Sequence, residues 1–299
     1  MEFRQLQYAI QIAAEKNFSR AAEKLHIAQP SLSQQLSKLE KELGVLLFYR
    51  NTNSVELTHA GSLFVEKAQH IIDKIGEIRQ EMDDISQLRK GRLIIGSMPI
   101  TGAHMLPAVL PVFRERYPEI EIVLVEETSA ILTQLTAEGR TDLSVLSLPQ
   151  QEQALEYDVL MEEEIRLAVP PHHPVAQTAA EQGTVDLALF KDEPFIVLKK
   201  GQGLRQTAID FCLDAGFSPR IVFESSNIET VQSLVAAGMG VAFVPSMVER
   251  GKWSEHSPAY LSIRSKPTRT IVIARRKGRY VSKAAEAFIA TTLELLGQK

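Results

Sequence analysis

Apolar residues recur with helical spacing near the start of the chain, at Phe3, Leu6, Ile10 and Ala13. Asn17-Phe18 breaks that pattern. Ser19 then offers an N-cap for a short second helix ending at Leu25, with Glu23 in its first turns. His26-Ile27 makes a tight turn, and Pro30 stands where a helix start tolerates proline. Leu32, Leu36, Leu39 and Leu43 predict a third helix with one buried face, ended by Gly44. Two short extended segments, around Leu46–Tyr49 and Ser54–Leu57, flank the polar Arg50-Asn51-Thr52-Asn53 and predict a hairpin, or wing.

Thr58 opens a long helix. Phe64, Ala68, Ile71, Ile75, Ile78, Met82 and Ile85 alternate steps of four and three. A 3.5-residue period is the seam of a coiled coil rather than the face of a globular helix. From Thr58 to Leu88 such a helix is roughly 45 Å long. Arg89-Lys90-Gly91 ends it and reads as a hinge.

Beyond Arg92 strands and helices alternate. Strands are predicted at Leu93–Gly96, Ile120–Val125, Leu143–Leu148, Ile165–Val169, Phe195–Leu198, Ile221–Phe223, Val241–Val244 and Thr270–Ala274, with a last helix from about Ser282. That alternation predicts an α/β domain with a largely parallel sheet. The expected fold class is therefore α + α/β, divided into a winged helix-turn-helix domain over 1–58, a linker and hinge over 59–91, and an α/β domain over 92–299.

The helix, turn and helix in FSRAAEKLHIAQPSLSQQLSKLE form a helix-turn-helix pattern. Ala21 and Ala22 let its helices approach closely. Opposite the leucines, the third helix shows Gln29, Ser31, Ser33, Gln34, Ser37 and Lys38. A merely solvated face is usually rich in Glu and Lys. Glutamine and serine suit base edges, because glutamine grips adenine with two hydrogen bonds. The plainer alternative is a polar face with no partner. Arg20, Lys38 and Arg50 are candidates for phosphate contacts, which position without specifying. Arg50, with Asn53 beside it at the wing tip, is also placed to reach the minor groove.

Charge alone does not point to nucleic acid. The 299-residue chain has a net charge of -4, and residues 1–60 hold seven cationic against six acidic side chains, a balance of +1. Cys212 is the single cysteine, so no intrachain disulfide forms, which fits a reducing compartment. Glu2, Arg4 and Gln5 interrupt any apolar leader, and no stretch is apolar enough to span a bilayer. A cytoplasmic location is expected.

The run from Phe3 to Gly61, including FSRAAEKLHIAQPSLSQQLSKLEKELGVLLFYR and LTHAG, resembles the DNA-binding domain of LysR-type transcriptional regulators. Looser matches continue through LIIGSMPITGAHMLPAVLPVFRERYP, TAEGRTDLSVL and SLVAAGMGVAFVP. One departure is Ala28, where the family commonly caps the recognition helix with serine or threonine. The resemblance implies a bacterial DNA-binding transcription regulator and a homodimer through the linker helix, with dimers pairing into a homotetramer. Double-stranded DNA, a small-molecule effector and RNA polymerase stand as partners to consider. No cofactor, metal or catalytic residue is implied.

The resemblance also supplies a two-lobed domain like the periplasmic binding proteins, with lobe one over 92–161 plus 267–299 and lobe two over 162–266. The effector cleft lies between them. Ligands of open α/β sheets bind at strand carboxyl ends beside helix N-termini. Ser97 to Thr101, Thr128-Ser129, Gly201 to Leu204 and Ser225 to Asn227 fit such places. Positions matching the family's effector pattern are Pro99, Ile100, Ser129, Ser147, Gln202, Gly203, Leu204 and Asn227. Many members carry a hydroxyl at Pro99-Ile100; here Thr101 is the substitute, with Ser97 beside it. Ser147 brings no cation, so an anionic effector would lean on backbone N–H groups, helix dipoles and Lys199, Lys200 or Arg205. The expected effector is a small polar or anionic metabolite. The ordinary alternative for each hydroxyl is a helix N-cap.

Two other classes remain to weigh. An enzyme lacks support, since HExxH, CxxC and Walker motifs are absent. His172-His173-Pro174 reads as a polar turn before a metal site, and Cys212 as a buried thiol before a redox sensor. Gly238 and Gly240 lack the spacing of a dinucleotide fingerprint and read as a helix C-cap. A solute-binding protein would not need the helix-turn-helix.

Overall fold

Three helices pack first, because each buries one apolar stripe against the others: α1 (Phe3–Glu15), α2 (Phe18–Lys24) and α3 (Gln29–Leu43). Ala9, Ile12, Ala21, Ala22, Leu32, Leu36 and Leu39 form their shared core with Leu47 and Phe48 of the wing. Leu43, expected on the same face, is exposed at the helix end. The wing is the antiparallel pair β1 (Phe48–Arg50) and β2 (Val55–Leu57). The structure, a computed structural model, describes residues 1–50, 55–85, 91–150, 152–176, 183–249 and 257–297. Asn53 and the side chain of Arg50 lie outside the described residues, as do Arg89 and Lys90 of the expected hinge.

The cap of α2 differs from expectation. Asn17, not Ser19, is the N-cap, and its side chain accepts the Arg20 N–H at 3.1 Å. Helix α3 begins at Ala28 with no side-chain cap and with proline in its first turn. Ala28→Ser is therefore expected to stabilise α3 by about 1 kcal/mol, slowing hydrogen exchange of its amides in the full-length protein roughly fivefold. Unchanged exchange would show that the capping geometry is not available there.

Thr58 starts α4 (His59–Ile85): its Oγ1 accepts the Gly61 N–H at 2.9 Å and donates to the Leu46 carbonyl at 2.7 Å. The helix belongs to the first of two compact units, Met1–Gln87 and Leu88–Lys299. It packs on α1 and β2.

The second unit is built on β3 (Gly91–Ser97), α5 (Pro99–Arg116), β4 (Ile120–Glu126), α6 (Ser129–Ala137), β5 (Leu143–Ser147) and β6 (Leu155–Val169). Then follow β7 (Pro194–Leu198), α7 (Gly203–Asp214), β8 (Arg220–Ser225), α8 (Ile228–Ala236), β9 (Ala242–Pro245), β10 (Ala259–Leu261), β11 (Thr268–Arg276) and α9 (Lys283–Leu296). One sheet runs β10-β6-β11-β5-β3-β4, with β9 also on β6. The expectation of a largely parallel sheet is corrected. Strand β3 is parallel to β4 and β5, but β11 is antiparallel to β5 and β6, and β6 is antiparallel to β9 and β10.

Strand β6 starts ten residues before the predicted Ile165, and nothing in the apolar pattern marks β10. The acidic run in LEYDVLMEEEIRLAV hides the strand, since its carboxylates pair with arginines of β11: Arg275 with Glu156 and Asp158, and Arg269 with Glu163. Residues 155–164 pair with β11, and 165–169 with β9 and β10. One strand therefore serves both lobes. The crossing falls at Glu164/Ile165, three residues beyond 161, where the Ile165 N–H donates to the Pro267 carbonyl at 2.8 Å. Each lobe has its own core. Leu93, Ile95, Val109, Phe113, Val145, Ile271 and Phe288 belong to lobe one; Phe190, Phe195, Val231, Val235, Phe243 and Val244 belong to lobe two.

Candidate nucleic-acid interface and effector cleft

Burying Leu32, Leu36 and Leu39 turns the opposite side of α3 to solvent. Gln29, Pro30, Ser31, Gln34, Ser37 and Lys38 are exposed there and Ser33 is half-buried. One surface thus gathers the polar residues that the spacing selected. Arg20 is exposed on α2, where its guanidinium donates to the Glu15 carbonyl at 3.2 Å. Lys38 reaches Glu2 at 3.5 Å, both side chains being well exposed. Such a pair contributes little and yields readily to a phosphate.

Glu40 went unnoticed in the sequence. It sits on the buried side of α3, and its Oε1 accepts the N–H groups of Leu47 at 2.8 Å and Phe48 at 3.3 Å. A carboxylate next to the leucine stripe was the available signal. Its two bonds fix where the wing leaves the helix.

In the second unit, the carboxyl ends of β3 and β4 lead into α5 and α6, and those of β7 and β8 into α7 and α8. Each helix start leaves N–H groups without an intrahelical acceptor, and each carries the positive end of a helix dipole. Ser97 and Thr101 are fully buried at the first of these junctions, and Thr101 Oγ1 has no hydrogen-bond partner among the described residues. Ser129 Oγ donates to Met98 Sδ at 2.9 Å, joining the α5 and α6 starts. Ser147 Oγ donates at a long 3.4 Å to the Leu148 carbonyl, and the Ser147 carbonyl accepts Gln150 Nε2 at 2.7 Å. In lobe two, Gln202 donates to the Ser226 carbonyl at 3.0 Å, joining the α7 and α8 starts, while its Oε1 is buried without a partner among the described residues. Gly203 is exposed, and Leu204 is buried in the lobe-two core. Pro99 is exposed and Ile100 packs against the lobe-two core, so the start of α5 meets the other lobe.

The N-cap alternative holds for Asn227, whose side chain accepts the Glu229 N–H at 2.8 Å. It fails for α5, α6 and α7, whose cap residues Met98, Thr128 and Gln202 make no side-chain cap bond. Arg205 is corrected as an anion ligand. It is committed to the Leu198 carbonyl and to Glu224, both at 2.8 Å.

His173 stacks on Phe190 and lies 3.5 Å from Glu193, and among the described residues no group of His, Cys, Asp and Glu could hold a metal. Gly238 closes α8 at a φ of +83°, with the Met239 N–H reaching the Leu234 carbonyl and the Gly238 N–H that of Val235, so the C-cap reading stands for Gly238; Gly240 is instead a close approach to β7, where a Cβ would lie 2.4 Å from the Pro194 carbonyl oxygen. No described helix is long and apolar enough to cross a membrane.

Residues 3–62 match the family described as bacterial regulatory helix-turn-helix protein, lysR family, and residues 86–297 match the LysR substrate binding domain. The chain is 43% identical to the uncharacterized HTH-type transcriptional regulator YcgK of Bacillus subtilis, over 100% of this chain and 96% of that protein. It is 32% identical to the DNA-binding transcriptional dual regulator OxyR of Escherichia coli, over 93% and 90%. Full-length OxyR of Pseudomonas aeruginosa, solved as a cysteine-to-aspartate variant, superposes with a TM-score of 0.77 at 28% identity, covering 100% of this chain and 98% of that one. A winged helix-turn-helix followed by a two-lobed sensor, matched along nearly its whole length, makes this chain a member of the LysR family of DNA-binding transcriptional regulators.

Proposed function

We propose that α3 reads a DNA major groove with Gln29, Ser31, Ser33 and Gln34, that Pro30 sets the start of that helix, and that Arg20, Lys38, Arg50 and Asn53 hold the backbone or minor groove. The observation carrying this is the exposed face of glutamines and serines opposite the buried leucines of α3. The test is a footprint and gel shift on the DNA upstream of the protein's own gene. Gln34→Ala is expected to weaken binding to the specific site by about 1–3 kcal/mol, roughly 5- to 150-fold, with little change on non-specific DNA. Absence of sequence-selective binding at any salt would overturn the reading.

Two chains are expected to pair along α4, where Ile71, Ile78 and Met82 are 43%, 51% and 51% exposed at seam positions. A second contact, giving the tetramer, is favoured by an apolar groove of about 1210 Å³ along α5 and β4 and by the exposed Ile221, Val222 and Phe223 on β8. Sedimentation of wild type against Ile78→Asp checks the α4 seam.

The effector is a small polar or anionic metabolite held between the lobes. Its ligands are the helix starts at Pro99, Ile100, Ser129, Gly203, Leu204 and Asn227, together with Ser97, Thr101, Ser147 and Gln202. The partnerless Thr101 hydroxyl and Gln202 carbonyl favour hydrogen bonding to such a ligand.

Several relatives are named hydrogen peroxide-inducible genes activators. A thiol peroxide response does not fit this chain. Its one cysteine, Cys212, is fully buried in the lobe-two core, and burial pushes the thiol up to about 12. The thiolate is the reactive form, so at neutral pH the group is inert. Ellman's reagent is expected to leave the native protein unlabelled and to react with one thiol per chain after unfolding. Rapid labelling of the folded protein at neutral pH would reopen the redox reading.

A further inference from the structure

Five charged side chains gather where the lobes cross. On the lobe-one side of β6, Glu163 is almost wholly buried. Its Oε2 accepts from Arg269 Nε of β11 at 2.7 Å, and its Oε1 accepts the Met247 N–H at 2.7 Å. Met247 lies in the short 3-10 turn Ser246–Val248 that follows β9 of lobe two. One carboxylate thus ties β6 and β11 to the exit of a lobe-two strand. That turn also packs on α5, whose start lines the cleft.

Beside it, Arg166 stands on the lobe-two side of the crossing. It donates to Glu164, on the lobe-one side, at 3.1 Å and reaches Glu249, at the end of the turn, at 3.0 Å. Glu164 Oε1 is buried and accepts no hydrogen bond among the described residues. Three carboxylates therefore share two guanidinium groups in a half-buried site. Rotation of the lobes at residues 164/165 and 267/268 changes the contacts that span the crossing, Arg166 to Glu164 and Glu163 to the Met247 N–H, and with them the distance of Glu249 from Glu163 and Glu164, while Glu163–Arg269 stays within lobe one and Arg166–Glu249 within lobe two.

We propose that Glu163, Glu164, Arg166, Glu249 and Arg269 form a proton-linked clasp that sets the angle between the two lobes, with Glu249 as its titrating member.

The charge balance supplies the mechanism. Burial holds the Glu249 carboxyl above the ordinary carboxylate range, Glu164 and Glu163 push it the same way, and Arg166 opposes them. From β11 the facing group is Arg269, already engaged by Glu163. On α5, the other element packed on the turn, His104 is the titratable residue near the cleft end and it is exposed. Arg250, next in sequence to Glu249, lies outside the described residues. An acid whose pKa is raised in one conformation and ordinary in another stabilises the first as it takes up its proton. The clasped arrangement is therefore favoured as pH falls through the raised value, and loses that advantage above it. Any consequence for DNA binding rests on the regulator reading above. The lobe angle itself does not, so the two can fail separately.

The test measures the distance between lobes without DNA or effector. Spin labels are placed at Glu119→Cys in lobe one and Lys191→Cys in lobe two, both exposed positions, with the buried Cys212 left in place. Labelled chains are diluted with unlabelled ones so that distances within a chain are read. As pH falls from neutral to below the ordinary glutamate range the clasped-to-unclasped ratio is expected to grow, in the limit about tenfold for each unit separating the clasped and unclasped pKa values. Glu249→Gln is expected to hold the low-pH distribution at every pH. Glu164→Gln, which removes a like charge and leaves Glu249 its proton, is expected to move the midpoint to lower pH. A wild-type distribution that does not change with pH overturns the proposal, and so does an undiminished pH response in Glu249→Gln.

Discussion

Glu163→Ala is expected to destabilise the effector-binding domain by about 3–5 kcal/mol, the usual effect of breaking one side of a buried ion pair. The substitution leaves the Arg269 guanidinium, 10% exposed, without the carboxylate that neutralises it, and removes the acceptor of the Met247 N–H. For a domain of this size the melting temperature should fall by roughly 6–20 °C. The double substitution Glu163→Met with Arg269→Met should recover part of the loss, because it leaves no charge unpaired, while the Met247 N–H still lacks its acceptor. Calorimetry of the four proteins completes the cycle. A single substitution worth under about 1 kcal/mol would mean that water reaches Arg269 and screens it.

Gly61→Ala is the second large effect, and it falls on the other compact unit. A Cβ at Gly61 would lie 1.9 Å from the Leu47 carbonyl oxygen and 2.8 Å from its carbon. Those are backbone atoms, and the same oxygen already accepts the Thr58 N–H at 3.0 Å. Neither side can yield by turning a rotamer, so the first turn of α4 must move away from the wing. Overpacking of this kind typically costs about 1–3 kcal/mol and more when backbone is displaced. The expected result is a loss of specific DNA binding of at least about tenfold while the melting of the effector-binding domain stays unchanged, since Gly61 belongs to the separate unit Met1–Gln87. A variant that binds the site as tightly as wild type would show that the wing needs no fixed position relative to α4.

These two residues mark where reading the sequence stops. Gly61 entered it only as the end of a matching run, although its lack of a side chain is what lets helix and wing touch. Glu163 sat in an acidic run just before the predicted strand Ile165–Val169 and drew no reading of its own. Its partners Met247 and Arg269 are 84 and 106 residues away. Glu40 was hidden in the same manner, a carboxylate beside a leucine stripe whose acceptors lie in the wing. Arg205 erred in the opposite direction. As a cation next to a helix start it suited an anion, yet Glu224 and the Leu198 carbonyl had already engaged it.

The sequence by itself determined whatever repeats at short range. The periods of α1, α3 and α4, the proline at the start of α3, the glycine after it and the alternation beyond Arg92 each follow from neighbours within a few residues. The helix-turn-helix was legible for the same reason: its glutamines and serines are placed by the leucines three and four positions away. Tertiary structure alone decided which strands run antiparallel, that β6 crosses both lobes behind its glutamates, and which helix starts in the cleft lack side-chain caps. Such outcomes depend on charge and hydrogen-bond partners brought together from distant parts of the chain. A buried carboxylate and a solvated one are the same letter until folding removes the water from one of them.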